Sequence, residues 1–250
     1  MKELMNLTSQ TYWQSTWEES GTKDGFELFD DVAKHLPRVQ GLDFFEIGCA
    51  PGGISAEFCA RLGYVANGID YAADPREIED RIRSKGANVG EIHREDFLQW
   101  ESERQYDIVA SFGFIEHFAD PREVVDRHFK LARPGGFVVI TVPNFARGQK
   151  VLHWLFDREN LRLHNTKCMN LRFLKETARR NNARLIEARY AGGQYDFWVG
   201  GNHQLSWLNM RLMWRTTRLL ERLSKSLPEG VNPWFSPFII AVYQKGQKGD

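Results

Sequence analysis

The stretch that decides the fold is Glu46-Ile-Gly-Cys-Ala-Pro-Gly-Gly53. It ends a continuous apolar run, Leu42–Ile47, which is typical of a strand buried on both faces of a sheet. Gly48 and Gly52 allow a sharp turn and a close approach to a ligand, because neither carries a Cβ. The helix predicted to follow presents free N–H groups and the positive end of its dipole. The stretch therefore predicts a strand–turn–helix unit that binds a pyrophosphate or a carboxylate.

Strands and helices alternate from this turn onward. Strands are predicted at 42–47, 64–69, 88–93, 106–112, 137–142, 184–190 and 236–244. Helices are predicted at 54–62, 75–85, 121–132, 170–182 and 205–227, with Pro134-Gly135-Gly136 stopping the third of them. This order indicates an α/β fold: a Rossmann-like, seven-stranded, mostly parallel sheet with helices on both faces and an antiparallel last strand. We expect a ligand at the carboxyl ends of the strands.

Composition limits the class of protein. The 250 residues are 42% hydrophobic and 26% charged, with a net charge of zero, which disfavours nucleic-acid binding. Cys49, Cys59 and Cys168 have no metal-ligand spacing, so free thiols and no metal site are predicted. The N-terminus lacks the apolar run of a signal peptide, and no stretch is long and apolar enough for a stable membrane span, so the predicted location is the cytoplasm.

We predict one domain over residues 41–250, preceded by a cap segment, 1–40. Two aromatic-rich, helical insertions, at about 145–168 and 192–233, are expected to cover the strand ends. The first begins as a long polar connection and the second as a Gly/aromatic loop, 192–202. Many aromatics lie outside the core pattern: Tyr12, Trp13, Trp17, Trp154, Trp198, Trp207, Trp214 and Trp234. The helix Leu205–Leu227 has Leu208, Leu212, Met213, Trp214, Leu219 and Leu223 opposite a basic side, which leaves open packing within the chain, a homodimer contact and a membrane surface.

Five segments in order carry a resemblance to a known family. They are the turn with Glu46, Gly48, Ala50 and Gly52; Gly68-Ile-Asp70; Arg94-Glu-Asp96-Phe97; Tyr106–His117; and Leu131–Asn144. Together they resemble the class I S-adenosylmethionine (SAM)-dependent methyltransferases, in particular the ubiquinone-biosynthesis-like subgroup. Glu46 stands where the family more often has Asp, and Ala50 where it has Gly. The dinucleotide pattern Gly-x-Gly-x-x-Gly fits less well, which disfavours an NAD-dependent oxidoreductase.

The resemblance implies SAM as cofactor and S-adenosylhomocysteine (SAH) as product. It implies that the turn holds the amino-acid portion, Asp70 the ribose, and Asp96 with Phe97 the adenine. An alternative for Asp96 is the N-cap of a short turn at 97–100. The full set of predicted cofactor residues is Glu46, Gly48, Cys49, Ala50, Gly52, Asp70, Tyr71, Asp96, Phe97, Phe112, Gly113, His117, Tyr12 and Trp13.

The implied reaction is methyl transfer to an O or N atom of a small-molecule acceptor. His117 is the candidate general base, since an imidazole titrates near neutrality. Packing under the cofactor loop is the alternative for that residue. His153, His164 and His203 lie in segments that could face the acceptor. Two other functions remain open: an RNA methyltransferase, suggested by Gly48-Cys-Ala-Pro-Gly-Gly53, and a non-catalytic SAM-binding partner protein.

Overall fold

A computed structural model describes residues 7–14, 25–192, 207–224, 231–234 and 236–247. Seven strands form one sheet in the order β3-β2-β1-β4-β5-β7-β6. Their bounds are β1 Asp43–Ile47, β2 Val65–Asp70, β3 Asn88–Arg94, β4 Tyr106–Phe112, β5 Ala132–Pro143, β6 Ala183–Ala191 and β7 Phe238–Lys245. All pairs from β3 to β5 are parallel, whereas β7 is antiparallel to both β5 and β6. The predicted Rossmann-like sheet is confirmed.

The described helices connect these strands. Their bounds are α1 Phe29–Ala33, α2 Gly53–Leu62, α3 Pro75–Ser84, α4 Pro121–Leu131, α5 Arg147–Phe156, α6 Arg158–Arg162, α7 Leu171–Arg180 and α8 Trp207–Ser224, with a 3₁₀ turn at Ile115–His117. Residues 10–14 are also helical. Asp74 caps α3 and Asp120 caps α4 through backbone N–H groups two residues later, and each precedes a proline at the first helical position.

The central strands are buried on both faces, and successive side chains supply the two halves of the core. Phe44 stacks on Phe58 of α2 on one face, with ring centroids 5.5 Å apart. The next residue, Phe45, points to the other face, where its ring centroid lies 4.3 Å from that of Tyr106. This two-sided burial explains why apolar side chains occupy consecutive positions in β1, as at Phe44 and Phe45. It also leaves the carboxyl ends of the strands as the place where polar groups can gather.

One sequence expectation needs correction. The helix α4 ends at Leu131 and β5 already begins at Ala132, so Pro134-Gly135-Gly136 lies within the strand and does not stop the helix. Residues 144–168, predicted as a helical insertion that begins as a polar connection, contain α5 and α6. Of the predicted loop 192–202, all but Gly192 lies outside the described residues.

The long helix α8 meets α5 in a small apolar cluster of Leu152, Phe156 and Met213, with Leu220 at its edge. This contact supports packing within the chain. Other apolar side chains of α8 are exposed, namely Met210, Leu212, Trp214, Leu219 and Leu223. A homodimer contact and a membrane surface therefore stay predictions. None of the described helices is both long and apolar enough to span a bilayer, and the cytoplasmic location stays a prediction.

Candidate active site

A cavity of about 350 Å³ lies at the carboxyl ends of β1, β2 and β4. Of the predicted cofactor residues, all lie in its wall except Gly52 and Tyr12. The wall also contains residues that the sequence did not indicate: Thr8, Gly25, Phe26, Pro51, Gly53, Ile54, Ile69, Glu95, Phe114 and Phe118. The volume is within the range of about 300–1,000 Å³ that is usual for small-molecule sites.

The glycine turn forms the floor of this cavity. The N–H groups of Gly48 and Cys49 both donate to the carbonyl of Ile69, at 2.8 and 3.2 Å, which ties the turn to β2. Gly48 and Gly52 have φ of 75° and 90°, in the left-handed region that favours glycine. A Cβ on Gly52 would meet the backbone carbonyl of Ile78 in α3 at 3.1 Å. Gly52 therefore serves close helix packing and stands behind the wall.

Glu46 is the acidic residue of the floor. Its side chain is 2% exposed, and its Oε2 accepts a short hydrogen bond from the Ser55 hydroxyl of α2. Burial raises the pKa of Glu46 to about 8, since an ionised carboxylate loses its hydration there. The carboxyl group is thus poised to change its charge when a cation enters the cavity.

Asp70 ends β2 and faces the same space. Its Oδ1 accepts hydrogen bonds from the N–H groups of Ala72 and Ala73, at 2.8 and 3.1 Å. Its Oδ2 lies 3.4 Å from the N–H of Ala50, so the carboxylate connects the second strand to the glycine turn. One oxygen is engaged by two short bonds and the other by a single long one. Asp70 can therefore still accept from hydroxyl groups of a ligand.

Asp96 and Phe97 follow β3 on the other side of Asp70. The Asp96 carboxylate accepts from the N–H of Leu98 at 2.9 Å and from Gln99 Nε2 at 3.2 Å. The capping alternative for Asp96 is therefore present, and the residue lies in the cavity wall as well. Phe97 is 6% exposed and meets the Phe114 ring edge to face. Phe97 thus places one aromatic ring in the cavity wall beside an acid, which suits a heteroaromatic base.

The segment after β4 supplies Phe112, Gly113 and His117. The His117 ring is buried, and its Nδ1 lies 3.1 Å from the carbonyl oxygen of Leu163. Burial and the neighbouring His164 lower the pKa of His117 to about 3, so the imidazole is neutral. Such a ring is a weak proton acceptor. The packing alternative is thus supported, and a role as general base stays a prediction.

The N-terminal segment covers the cavity from outside. The N–H of Leu7 donates to the His117 carbonyl at 2.8 Å, and Gln10 Nε2 donates to the Tyr71 carbonyl at 2.6 Å. Trp13 donates from Nε1 to the Thr8 hydroxyl and meets the His117 ring edge to face at 4.9 Å. Trp13 thereby forms part of the outer wall of the cavity. Trp17 lies outside the described residues.

Further apolar wall residues come from segments without a motif. Phe26 lies before α1 and meets Phe112 edge to face, with ring centroids 4.7 Å apart. Phe114 follows Gly113 directly, so its nearness to the predicted residues was the one signal available for it. Nothing in the sequence around Phe26 sets it apart from a core aromatic.

The insertions do not contribute to this cavity within the described part of the chain. His153 is buried in α5, where its Nδ1 lies 3.1 Å from Asp157 Oδ2. His164 follows α6 and stands against His117, with ring centroids 4.6 Å apart. His203 lies outside the described residues. The three cysteines are free thiols, as predicted, and all three are buried.

A mostly parallel α/β sheet with an acid-bearing glycine turn and two further acids at its strand ends defines a nucleotide-type cofactor domain. A family model described as a methyltransferase domain matches residues 24–188, and the chain belongs to that family. The chain is 32% identical over 118 residues to a ubiquinone biosynthesis O-methyltransferase of Erwinia tasmaniensis, covering 46% of this chain and 48% of that protein. It is 30% identical over 122 residues to the mitochondrial enzyme of the same name from Dictyostelium discoideum, covering 44% and 37%. The matched regions thus span less than half of these relatives.

Solved structures share the fold at low sequence identity. The phosphoethanolamine N-methyltransferase 2 of Haemonchus contortus, in complex with SAM, has a TM-score of 0.61 at 16% identity, covering 96% of this chain and 58% of that one. The N-methyltransferase NodS of Bradyrhizobium japonicum, in complex with SAH, has a TM-score of 0.55 at 15% identity, covering 95% and 99%. These similarities support the Rossmann-like methyltransferase fold.

Proposed function

We propose that this protein binds SAM in the cavity and transfers its methyl group to an O or N atom of a small-molecule acceptor. The observation that carries the proposal is the placement of Glu46, Asp70 and Asp96 around one cavity of about 350 Å³. Membership of the methyltransferase-domain family supports it. The relatives named as O-methyltransferases and the N-methyltransferase structures support both acceptor atoms.

The described residues fit the parts of SAM one by one. Gly48 of the turn lines the cavity without a side chain, and Glu46 beside it suits the ammonium of an amino acid. Asp70 retains acceptor capacity for ribose hydroxyls. Phe97 offers an apolar face and Asp96 an acceptor for an exocyclic amine. The acids are spread along the cavity in the order that the cofactor's amine, ribose and base require.

When bound, SAM supplies a methyl group made electrophilic by its sulfonium sulfur. The protein's part is to orient the acceptor in line with that bond, and positioning alone can contribute about 7–11 kcal/mol. Trp13 and Phe26 exclude water from the cavity, and an aromatic face favours a nearby cation. His117 stands at the end of β4 as a neutral group that can accept a hydrogen bond. A base is needed only for acceptors that keep their proton until they react.

The experiment is isothermal titration of the full chain with SAH, followed by a transfer assay with isotopically labelled SAM. We expect a micromolar dissociation constant and labelled product from a panel of phenols and amines. Lack of SAH binding would contradict the whole proposal. Binding without transfer to any small molecule would favour the non-catalytic partner protein. Labelling of RNA, tested in the same assay, would favour the RNA methyltransferase instead.

A further inference from the structure

A buried cluster of three side chains stands directly behind the cavity wall. Glu116 and His117 belong to the 3₁₀ turn after β4, and His164 belongs to the loop after α6. The side chains offer two imidazole nitrogens and one carboxylate oxygen, all within 4.8 Å of one another. Glu116, His117 and His164 are only 1%, 5% and 9% exposed. Side chains of this polarity are seldom buried together without a common partner.

Main-chain hydrogen bonds hold the two segments of the cluster together. The N–H of Asn165 donates to the Glu116 carbonyl at 2.7 Å. The side-chain amide of Asn165 donates to the carbonyls of Phe118 and Ala119, at 3.0 and 3.1 Å. His164 immediately precedes Asn165, so its backbone is fixed beside the turn. The cluster is therefore preorganised by the fold.

Both histidine rings are oriented by carbonyl oxygens. His117 Nδ1 lies 3.1 Å from the Leu163 carbonyl oxygen, and His164 Nδ1 lies 2.7 Å from that of Asn160. A carbonyl oxygen can only accept, so these contacts favour the tautomers that carry the proton on Nδ1 and keep a lone pair on Nε2. The backbone of Gly113 is a second hydrogen-bonding neighbour of the His117 ring. Histidines that bind metals usually donate their other N–H to a carbonyl or carboxylate in this way. His117 Nε2 is 3.9 Å from Glu116 Oε1.

The carboxyl group of Glu116 is incompletely satisfied. Its Oε2 is buried and has no hydrogen-bond partner within the described part of the chain. Leaving a buried polar oxygen without a partner is unfavourable. A cation placed among these atoms would compensate the carboxylate and use both lone pairs at once.

We propose that Glu116, His117 and His164 bind one divalent transition-metal ion of the Zn²⁺ type. Two imidazoles and a carboxylate are a ligand set that Zn²⁺ accepts, with bonds of about 2.0–2.2 Å. Ligand atoms now within 4.8 Å of one another would have to move by less than about 1 Å to share an ion. His117 also lines the cavity, which gives the ion its entry path and an open fourth position on the cavity side. The inference concerns ion binding alone and does not rest on methyl transfer.

The test uses the full chain freed of metal by a chelator. Titration with ZnCl₂ followed by calorimetry, and elemental analysis after desalting, should show one ion per chain. His164→Ala and Glu116→Gln should each weaken binding by more than about 100-fold, since loss of a mere orienting residue costs about 10- to 100-fold. The control is His35→Gln: its imidazole lies 3.7 Å from Glu187, away from the cluster, and Zn²⁺ binding should be unchanged.

Substitution with Co²⁺ identifies the ligands independently. Nitrogen and oxygen ligation should give visible d–d bands without thiolate charge transfer. A thiolate band, pointing to the nearby Cys168, would overturn the proposal, as would the absence of saturable Zn²⁺ binding. Circular dichroism reports whether each variant folds. If His164→Ala does not fold, the nearly isosteric Glu116→Gln decides: unchanged affinity in that variant would also overturn the proposal.

Discussion

The ring of Phe114 occupies the space that a side chain on Gly48 would need: a Cβ built on Gly48 would lie 2.7 Å from Phe114 Cδ2. The φ of Gly48, 75°, is unfavourable for residues with a Cβ as well. Two independent constraints thus keep this position glycine.

We expect Gly48→Ala to destabilise the protein and to weaken SAH binding, because Phe114 must leave its place in the cavity wall. The matched control is Gly41→Ala, where φ is 79° and nothing lies within 4 Å of the added Cβ. The control should lose about 1–2 kcal/mol of unfolding free energy from backbone strain alone. Urea unfolding and calorimetry measure both effects. Equal losses in the two variants, with SAH binding intact, would rule out the steric explanation.

Asp70→Asn tests the ribose contact while keeping an oxygen for the N–H groups of Ala72 and Ala73. We expect SAH binding to weaken by about 1.5–3 kcal/mol, the loss typical of a hydrogen bond to a charged group. The control is Asp74→Asn, which alters the cap of α3 just beyond the same loop. Calorimetry should show nearly unchanged SAH affinity for that control. An Asp70→Asn variant that binds SAH as the parent does would remove Asp70 from the site.

Glu46 should make SAH affinity depend on pH. The pKa of the free protein's carboxyl is about 8, and a bound ammonium would lower it, so binding releases a proton. Affinity should therefore rise with pH up to about 8 and level off above that value. Calorimetry in buffers of different ionisation enthalpy counts the released proton. Glu46→Gln should abolish the dependence, and a flat profile in the parent protein would show that no cation approaches Glu46.

Trp13 and Tyr12 are adjacent in the N-terminal segment, so their variants can be compared directly for their effect on SAH binding. Trp13→Ala should weaken SAH binding by about 0.5–1.5 kcal/mol, because the indole lines the cavity and packs edge to face on His117. Tyr12→Ala should have a smaller effect, since Tyr12 is not part of the cavity wall. Calorimetric titration of both variants distinguishes them. A larger effect at Tyr12 would restore the sequence-based prediction for that residue.

The buried His128 should make the free energy of unfolding decrease at acidic pH. Its Nδ1 lies 2.8 Å from the Val124 carbonyl oxygen and its Nε2 lies 2.9 Å from the Ser111 hydroxyl. Burial lowers its pKa to about 4, against about 6.5 in an unfolded chain. Below pH 6.5 the unfolded chain binds more protons, so stability present above that pH is lost as pH falls towards 4.

The double variant His128→Phe/Ser111→Ala replaces both polar partners and should flatten this dependence. Urea unfolding at pH 7 and pH 5 measures it. The parent protein should lose more unfolding free energy between the two conditions than the variant does. An equal loss in both would place the acid-sensitive group elsewhere.

The residues proposed to bind the cofactor could be predicted from the sequence, because the patterns that identify them involve residues close together in the chain. A buried strand, a glycine turn and an acid two residues before it occur together in the sequence, and the structure places Glu46, Gly48 and Asp70 around one cavity. Similarly, Asp74-Pro75 and Asp120-Pro121 indicate where helices begin, because an N-cap involves only residues close in sequence. Such patterns can be recognised without knowledge of tertiary contacts.

The remaining features depend on contacts between distant segments. Phe26 reaches the cavity from before α1, and no spacing rule connects it to Phe112. The Glu116, His117 and His164 cluster has the same origin, since metal-ligand spacing along the sequence cannot reveal a pair that meets across two elements. The prediction for Pro134-Gly135-Gly136 was wrong because turn-type residues can lie in the first part of a strand as well as end a helix.

The position of β7 between β5 and β6 bears on how the chain acquires its structure. Pro143 pairs with Phe238, and Ala191 pairs with the same residue from the other side. The parallel strands that surround the cavity are all made earlier on the ribosome than β7. We expect them to associate first, since closing shorter loops loses less chain entropy. Until β7 arrives, β5 and β6 would present open edges, and aggregation during synthesis would begin there.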